Sequence, residues 1–177
     1  MKYTRAITFG TLAVAAFLPF VVNAQDSTNR VDAKTDWSVF VENDPTECWI
    51  VSAPKSVVNT KNGKVVAVNR GDTLLFVSFR PKSNVKGEVS FTGGYPFKEG
   101  TTVNLTIGAA SFELFVDGEW AWPASEGEDV KILTAMKRGA SAVVTGLSSR
   151  DTTTEDTFSL LGFTAALEEA ERRCAGQ

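Results

Sequence analysis

Short apolar runs separated by turn residues fill the chain between residues 36 and 158. Residues 102–107 alternate apolar and polar side chains, which predicts a strand with one buried face. The run at 73–79 is apolar on both faces, which is typical of a strand in a central position. Asn62-Gly63 between pairs of valines predicts a hairpin. Runs at a spacing of roughly 8–12 residues indicate a mainly β domain, either an antiparallel sandwich or a barrel.

One stretch within this region has helical rather than strand periodicity. Ser125 and Glu128 have the spacing of a capping box, which predicts that a mid-chain helix begins there and extends over 125–138. Gly139 stands where a C-terminal cap belongs. The expected apolar side of this helix is formed by Val130, Leu133 and Met136.

A second helix is predicted at the C-terminus, over residues 159–174, with Ser159 as its cap. Its apolar residues recur at steps of three and four, so they form one stripe along the helix. That stripe consists of Leu160, Phe163, Leu167, Ala170 and Cys174. The helix is therefore expected to cover one end or one face of the β-structure.

The two cysteines of the chain, Cys48 and Cys174, are expected to form a disulfide. An even pair in an oxidising compartment is usually bridged. Cys174 lies on the inward stripe of the C-terminal helix, and Cys48 lies in an apolar strand. The bridge would close most of the chain into one loop, worth about 4–5 kcal/mol in the chain-entropy model. The alternative is a pair of free or separately paired thiols.

The N-terminus has the layout of a secretory signal peptide. Lys2 and Arg5 provide positive charge, residues 6–22 are uncharged, and small residues precede a cleavage site after Ala24. The alternative is an N-terminal membrane anchor, since about 17 apolar residues is the lower limit for a span. No later stretch reaches the ~20 apolar residues of a membrane helix.

Cleavage after Ala24 would leave a polar, flexible leader over residues 25–35 and a single domain over residues 36–177. The expected location is the periplasm, the outer membrane or the cell surface.

Charge argues against nucleic acid as a partner. Without Lys2 and Arg5, 16 of the 18 basic residues stand against 21 acidic ones, a net charge of −5. The charge is uneven, because residues 55–98 carry a net charge of +6 and residues 99–129 a net charge of −7. One interpretation is a basic face for an anionic envelope polymer or lipid headgroup. The other is ordinary solvated surface.

The sequence contains no histidine, which excludes the usual Ser-His-Asp and Cys-His arrangements and the commonest zinc ligand set. No Gly-rich phosphate loop precedes a helix. We therefore expect no catalytic residues, no cofactor and no metal site. A hydrolase that uses paired carboxylates is the least favoured alternative.

Three features are candidates for binding. Trp120 and Trp122 lie on one strand face, and they are either core residues, which we favour, or an exposed platform of the kind that carbohydrate binders use. Arg70-Gly71-Asp72 spells the integrin-ligand triplet, but Gly and Asp are expected in a turn for backbone reasons. The candidate anion-contacting lysines, beside Gly-containing turns, are Lys82, Lys86 and Lys98.

Several segments resemble the invasion-associated locus B family. The most specific is the closing run 156–167, DTFSLLGFTAAL, which includes Ser-Leu-x-Gly-Phe. Supporting segments are AMKRG at 135–139, FELFVDGEWAW at 112–122 and DWSV at 36–39. The resemblance extends over roughly residues 36–174. Asp151 departs from it, because family members more often have Gly after the residue equivalent to Arg150.

The resemblance implies an immunoglobulin-like antiparallel β-sandwich, export to the periplasm or outer membrane, and an α-proteobacterial source. It brings no catalytic residues or cofactor. The leading hypothesis is a non-enzymatic protein that binds an as yet unknown envelope or surface partner. The alternative is a surface adhesion or host-cell invasion factor.

Overall fold

The computed structural model describes residues 29–44 and 46–175. The predicted signal peptide, its cleavage site and residues 25–28 of the expected leader lie outside this part of the chain. The described residues form twelve strands, two α-helices and one 3-10 turn at Pro81–Ser83. The strands are β1 Arg30–Lys34, β2 Trp37–Asn43, β3 Thr46–Ser52, β4 Ser56–Lys61, β5 Lys64–Val65, β6 Leu74–Arg80, β7 Val85–Thr92, β8 Thr102–Ile107, β9 Ala110–Asp117, β10 Trp120–Trp122, β11 Ser141–Leu147 and β12 Thr153–Ser159. The helices are α1 Glu126–Arg138 and α2 Phe163–Ala175.

All twelve strands belong to one antiparallel sheet in the order β1-β2-β3-β6-β7-β10-β9-β8-β11-β12-β4-β5. The sheet curls over, because the ring of Phe91 on β7 meets that of Phe158 on β12 edge to face at 6.1 Å. Trp37 on β2 donates its indole N–H to the Ser159 carbonyl of β12 at 3.0 Å. The predicted class, a mainly β antiparallel fold with two helices, is confirmed. The two facing layers of the predicted sandwich are halves of one continuous sheet.

Strand alternation decides which side chains enter the core. The predicted half-buried strand is β8, whose Val103, Leu105 and Ile107 are all buried. The predicted Asn62-Gly63 hairpin joins β4 to β5, and both turn residues have positive φ, 52° and 73°. This is the pattern of a type I′ turn, which Asn-Gly accommodates with little strain.

The segment expected to be a flexible leader is ordered in its second half. Residues 30–34 form β1, which pairs with β2 through Lys34 opposite Trp37 and Ala33 opposite Ser38. The prediction was based on the lack of apolar side chains. An edge strand needs few of them, because its backbone hydrogen bonds to β2 hold it in place.

Helix α1 has the predicted cap, but its buried side differs from the prediction. The Ser125 hydroxyl accepts the Glu128 N–H at 3.4 Å. Val130 is 60% exposed, so its assignment to the apolar side was wrong. The residues of α1 that are buried are Asp129, Ile132 and Met136. Because the polar Asp129 is one of these buried residues, the positions of the apolar residues alone did not indicate which face of α1 is buried.

Helix α2 starts four residues later than predicted. Ser159 ends β12, and the Leu160 N–H donates to the Ala140 carbonyl at 3.0 Å, so the chain is still strand-like there. Gly162 then turns the chain with φ of +86°, where a Cβ atom would lie 2.0 Å from the Lys34 carbonyl oxygen. All five residues of the predicted stripe are buried, but only four of them lie on α2, because Leu160 precedes the helix.

Cys48 on β3 and Cys174 on α2 form the predicted disulfide, with Cα atoms 5.8 Å apart and a sequence separation of 126 residues. The bond fixes α2 against β3, on the core side of the sheet. Around it, α2 also packs on β2 and β6.

Removing this disulfide is expected to lower the free energy of unfolding by about 4–5 kcal/mol, because the unfolded chain loses a loop constraint of this length. The measurement is urea unfolding of the purified protein with and without reductant, beside the Cys48→Ser/Cys174→Ser variant. Reductant should leave the variant unchanged. A wild-type midpoint that does not respond to complete reduction would contradict the expectation.

Asp129 is a buried carboxylate that joins α1 to the sheet. It accepts the backbone N–H of Val89 at 2.8 Å. Burial raises the pKa of Asp129 to about 6, with further contributions from the charges of Glu88 and Glu126. The folded protein therefore binds this proton more tightly than the unfolded chain, and stability falls as the pH rises from about 4 to about 6.

Asp129→Asn should be more stable than the wild type at pH 7, by about 1–3 kcal/mol, because the amide carbonyl still accepts from Val89 and carries no charge. The difference should vanish near pH 4. Urea unfolding across this pH range measures it. Asp151→Asn is the control: Lys98 lowers the pKa of Asp151, so this change should bring no gain at pH 7. An equal gain in both variants would contradict this assignment.

Candidate aromatic binding face

The side of the sheet that points away from the core carries a band of aromatic rings. On β2, β3, β6, β9 and β10 each ring has at least one buried neighbour in sequence, so alternation turns the rings outward. We call this band the aromatic face. It consists of Phe40, Trp49, Phe76, Phe115, Trp120 and Trp122.

The rings contact one another across the strands. Phe40 and Trp49 stack nearly parallel, with centroids 5.3 Å apart. Trp120 lies 5.6 Å from Phe76 and 6.1 Å from Trp122, and the two indole planes differ by 18°. Trp120 is 38% exposed. The expectation that Trp120 and Trp122 are core residues was therefore wrong, because Ala121 between them takes the inward position.

A groove of about 400 Å³ crosses this face. Its middle is low because serines lie beside large rings: Ser78 is the cross-strand partner of Trp49, and Ser90 is that of Phe76. We call it the aromatic groove. Its lining is formed by Glu47, Trp49, Phe76, Ser78, Arg80, Glu88, Ser90, Trp120 and Trp122.

One end of the aromatic groove is charged. The Arg80 guanidinium donates to Glu88 Oε1 at 2.6 Å and to Glu47 Oε1 at 3.2 Å. The hydrogen bond to Glu88, aided by Glu47, raises the pKa of Arg80. Each carboxylate uses one oxygen for Arg80 and can accept ligand hydrogen bonds with the other. One cation and two anions give the groove lining a net charge of −1.

Two carboxylates in one groove also bear on the hydrolase alternative. A glycoside hydrolase needs one carboxyl group to hold a proton that it donates to the leaving group. Here the same arginine donates to both Glu47 and Glu88, so both are used as hydrogen-bond acceptors. This arrangement fits a polar anchor better than an acid and base pair.

None of the candidate lysines lines the aromatic groove, and only Lys82 and Lys86 lie near one another. Lys82 and Lys86 lie at the tip of the β6–β7 hairpin. Lys86 is six positions along β7, about 20 Å of strand, from Thr92, the partner of Trp120, and two positions from Glu88 at the charged end of the groove. Lys98 lies in a separate loop and pairs with Asp151.

The basic segment 55–98 does not form one basic face. Lys55 pairs with Asp36, Lys98 pairs with Asp151, and both arginines of this segment also pair with carboxylates. These ion pairs lie on different elements. They favour the interpretation that the charge imbalance along the sequence is ordinary solvated and paired surface.

The Arg70-Gly71-Asp72 triplet is a structural junction. The Arg70 side chain is 7% exposed and holds both oxygens of the fully buried Asp156, at 2.8 and 2.7 Å. It also lies over the Tyr95 ring at 4.9 Å. The Gly71 N–H donates to the Gly94 carbonyl at 2.8 Å. The triplet cannot offer its arginine to a receptor while this pair is intact.

Five residues of the aromatic groove were not predicted from the sequence as site residues: Trp49, Phe76, Glu47, Arg80 and Glu88. A signal was present on β6, whose Leu74, Phe76 and Ser78 form a second, partly apolar face. That face was interpreted as evidence of a central strand. The strand is indeed central, paired with β3 and β7, but its second face is turned toward solvent.

Residues 37–171 match the protein family described as Invasion associated locus B (IalB) protein. The chain belongs to this family. Among solved structures, the IalB chain is similar to the crystal structure of invasion associated protein b from Bartonella henselae, with a TM-score of 0.52 and 15% sequence identity. The similarity covers 78% of this chain and 94% of that one, and at this identity it shows the shared fold alone. Comparison with curated proteins gives no match.

The turn at Asp151 has a left-handed backbone conformation, which a glycine could also adopt. Asp151 has φ of +60°, and its N–H donates to the Ser148 carbonyl at 2.9 Å. Aspartate is among the residues that enter the left-handed region most readily. Asp151 therefore preserves the turn between β11 and β12.

Within residues 29–44 and 46–175, neither helix has the length and apolar character to span a bilayer. The same residues contain no group of three or more His, Cys, Asp or Glu side chains placed to hold a metal ion.

The two arginine ion pairs should differ sharply in their effect on stability. Arg70→Met leaves Asp156 charged and buried without a partner, which costs about 3–5 kcal/mol. Arg80→Met removes a partly exposed pair and should change the free energy of unfolding by about 1 kcal/mol or less. Urea unfolding measures both. Adding Asp156→Asn to Arg70→Met should recover part of the loss, and equal effects of the two single changes would contradict the assignment.

Proposed function

We propose that this IalB-family protein is exported and acts, without catalysis, by binding a partner in the cell envelope or at the cell surface through the aromatic face. The observation that carries the proposal is the exposure of contacting aromatic rings on the outer side of the sheet. Aromatic residues and arginine are enriched in binding interfaces, and exposed apolar patches commonly mark such sites.

Export is supported by the N-terminal pattern and by the sulfur chemistry. Residues 1–24 have the layout of a cleavable secretory signal. The disulfide between Cys48 and Cys174 is of a kind that persists in oxidising compartments such as the periplasm and the cell surface. We propose that the mature chain begins at Gln25, with a leader that leads into β1.

A non-enzymatic role is supported by the kinds of functional groups that line the aromatic groove. The groove holds Arg80 between two carboxylates, and the sequence has no histidine to serve as a general base. Hydroxyls, carboxylates, a guanidinium and aromatic rings are groups that bind and orient a ligand.

A role as a surface adhesion or invasion factor is the second candidate. It is favoured by the family match and by the structural neighbour, whose name links that protein to invasion. Protease treatment of intact cells separates the two candidates. Degradation of the protein in intact cells supports surface exposure, and protection until the outer membrane is opened supports a periplasmic role.

Purified mature protein should sediment with isolated envelope fractions, and Trp120→Ala/Trp122→Ala should weaken this binding at least about tenfold, as loss of central aromatic contacts does. Val130→Ala is the matched control, because it also removes an exposed apolar side chain, from α1. Unfolding midpoints verify that all variants fold. Undiminished sedimentation of the folded double variant would sink the proposal.

A further inference from the structure

We propose that the aromatic groove binds a neutral carbohydrate chain built of hexopyranose units. This inference rests on the proposed function, since it names the ligand class of the same face. It is carried by the joint presence of stacked, nearly parallel indoles, a fixed carboxylate pair and small hydroxyl side chains in one groove.

The indoles provide an apolar wall. Trp120 and Trp122 stack on each other with centroids 6.1 Å apart and planes within 18° of parallel, and Phe76 adjoins Trp120 at 5.6 Å with its ring tilted by 40°. A pyranose ring has C–H bonds on its two faces, and these are attracted to the electron-rich face of an aromatic ring. Because the rings are braced against one another, little side-chain entropy is lost when a sugar stacks on them.

The charged end supplies partners for hydroxyl groups. Arg80 fixes Glu47 and Glu88 through one oxygen each, and the second oxygen of each carboxylate can accept from a sugar hydroxyl. Ser78 and Ser90, along the middle of the groove, are able both to donate and to accept. A pyranose ring has apolar C–H faces and carries hydroxyl groups around its edge. The groove has aromatic rings to contact those faces and, beside them, oxygen atoms to accept from those hydroxyl groups.

The charge of the groove selects against other ligands. Its lining has a net charge of −1, so a phosphate, sulfate or uronate chain would meet unfavourable electrostatics. A wholly apolar segment would cover Glu47, Arg80 and Glu88 without replacing the water that solvates them. A neutral chain rich in hydroxyl groups satisfies both the rings and the carboxylates.

The shape favours the middle of a chain over a single sugar. The lining residues come from four consecutive strands, β3, β6, β7 and β10. Four strands span about 14 Å between the first and the last. The groove runs across them on an exposed face, so a chain can enter sideways.

The test is titration of the mature protein with neutral hexasaccharides: maltohexaose, cellohexaose and N-acetylated chitohexaose. Binding is measured by tryptophan fluorescence and by calorimetry. At least one should bind, and both Trp122→Ala and Glu88→Gln should weaken it at least about tenfold. Val130→Ala should bind as the wild type does. An oligogalacturonate of the same length should bind at least about tenfold more weakly than the neutral chain.

Failure of this inference is distinguishable from failure of the proposed function. If no hexasaccharide binds up to about 10 mM, yet sedimentation with envelope still depends on Trp120 and Trp122, the carbohydrate assignment is overturned and the binding face stands. Preferential binding of the acidic oligosaccharide, or of a proline-rich peptide used as a comparison, also overturns it. If no hexasaccharide binds and the Trp120→Ala/Trp122→Ala variant sediments with envelope as the wild type does, both proposals are overturned.

Discussion

Helix α2 packs on only one side of β2, β3 and β6. The side chains on the other side of these strands are therefore not covered by this helix. The stripe from Leu160 to Cys174 is buried against the inner side, where Cys174 is bonded to Cys48. The far ends of the curled sheet complete the same core through the contact of Phe91 with Phe158. The inner side thereby contains the apolar packing that stabilises the fold, and the outer aromatic rings are not part of that core.

Structural features that depend on a few neighbouring residues could be predicted from the sequence. The Asn62-Gly63 turn, the Ser125 and Glu128 cap and the stripe of α2 each depend on local backbone preferences or helical periodicity, and the structure has them. The phase of α1 was not predictable in this way, because the carboxylate of Asp129 is buried to accept a hydrogen bond from a strand forty residues away.

The site itself depends on contacts that no local pattern contains. Arg80 meets Glu47 and Glu88 at sequence separations of 33 and 8, and Trp120 meets Phe76 only because β10 joins β7. Alternation placed Trp120 and Trp122 on one face, but strand pairing decides which face is outward. Family membership explains the fold, whereas the ligand has to be argued from the groove.

The positions of the two cysteines also restrict when the disulfide can form. A chain made or translocated from its N-terminus presents Cys48 before most of the strands and Cys174 after all twelve strands of the described residues. With only two cysteines in the sequence, no other intramolecular pairing competes during that interval. Cys48 therefore cannot bond to Cys174 until the whole of the sheet has been presented for pairing.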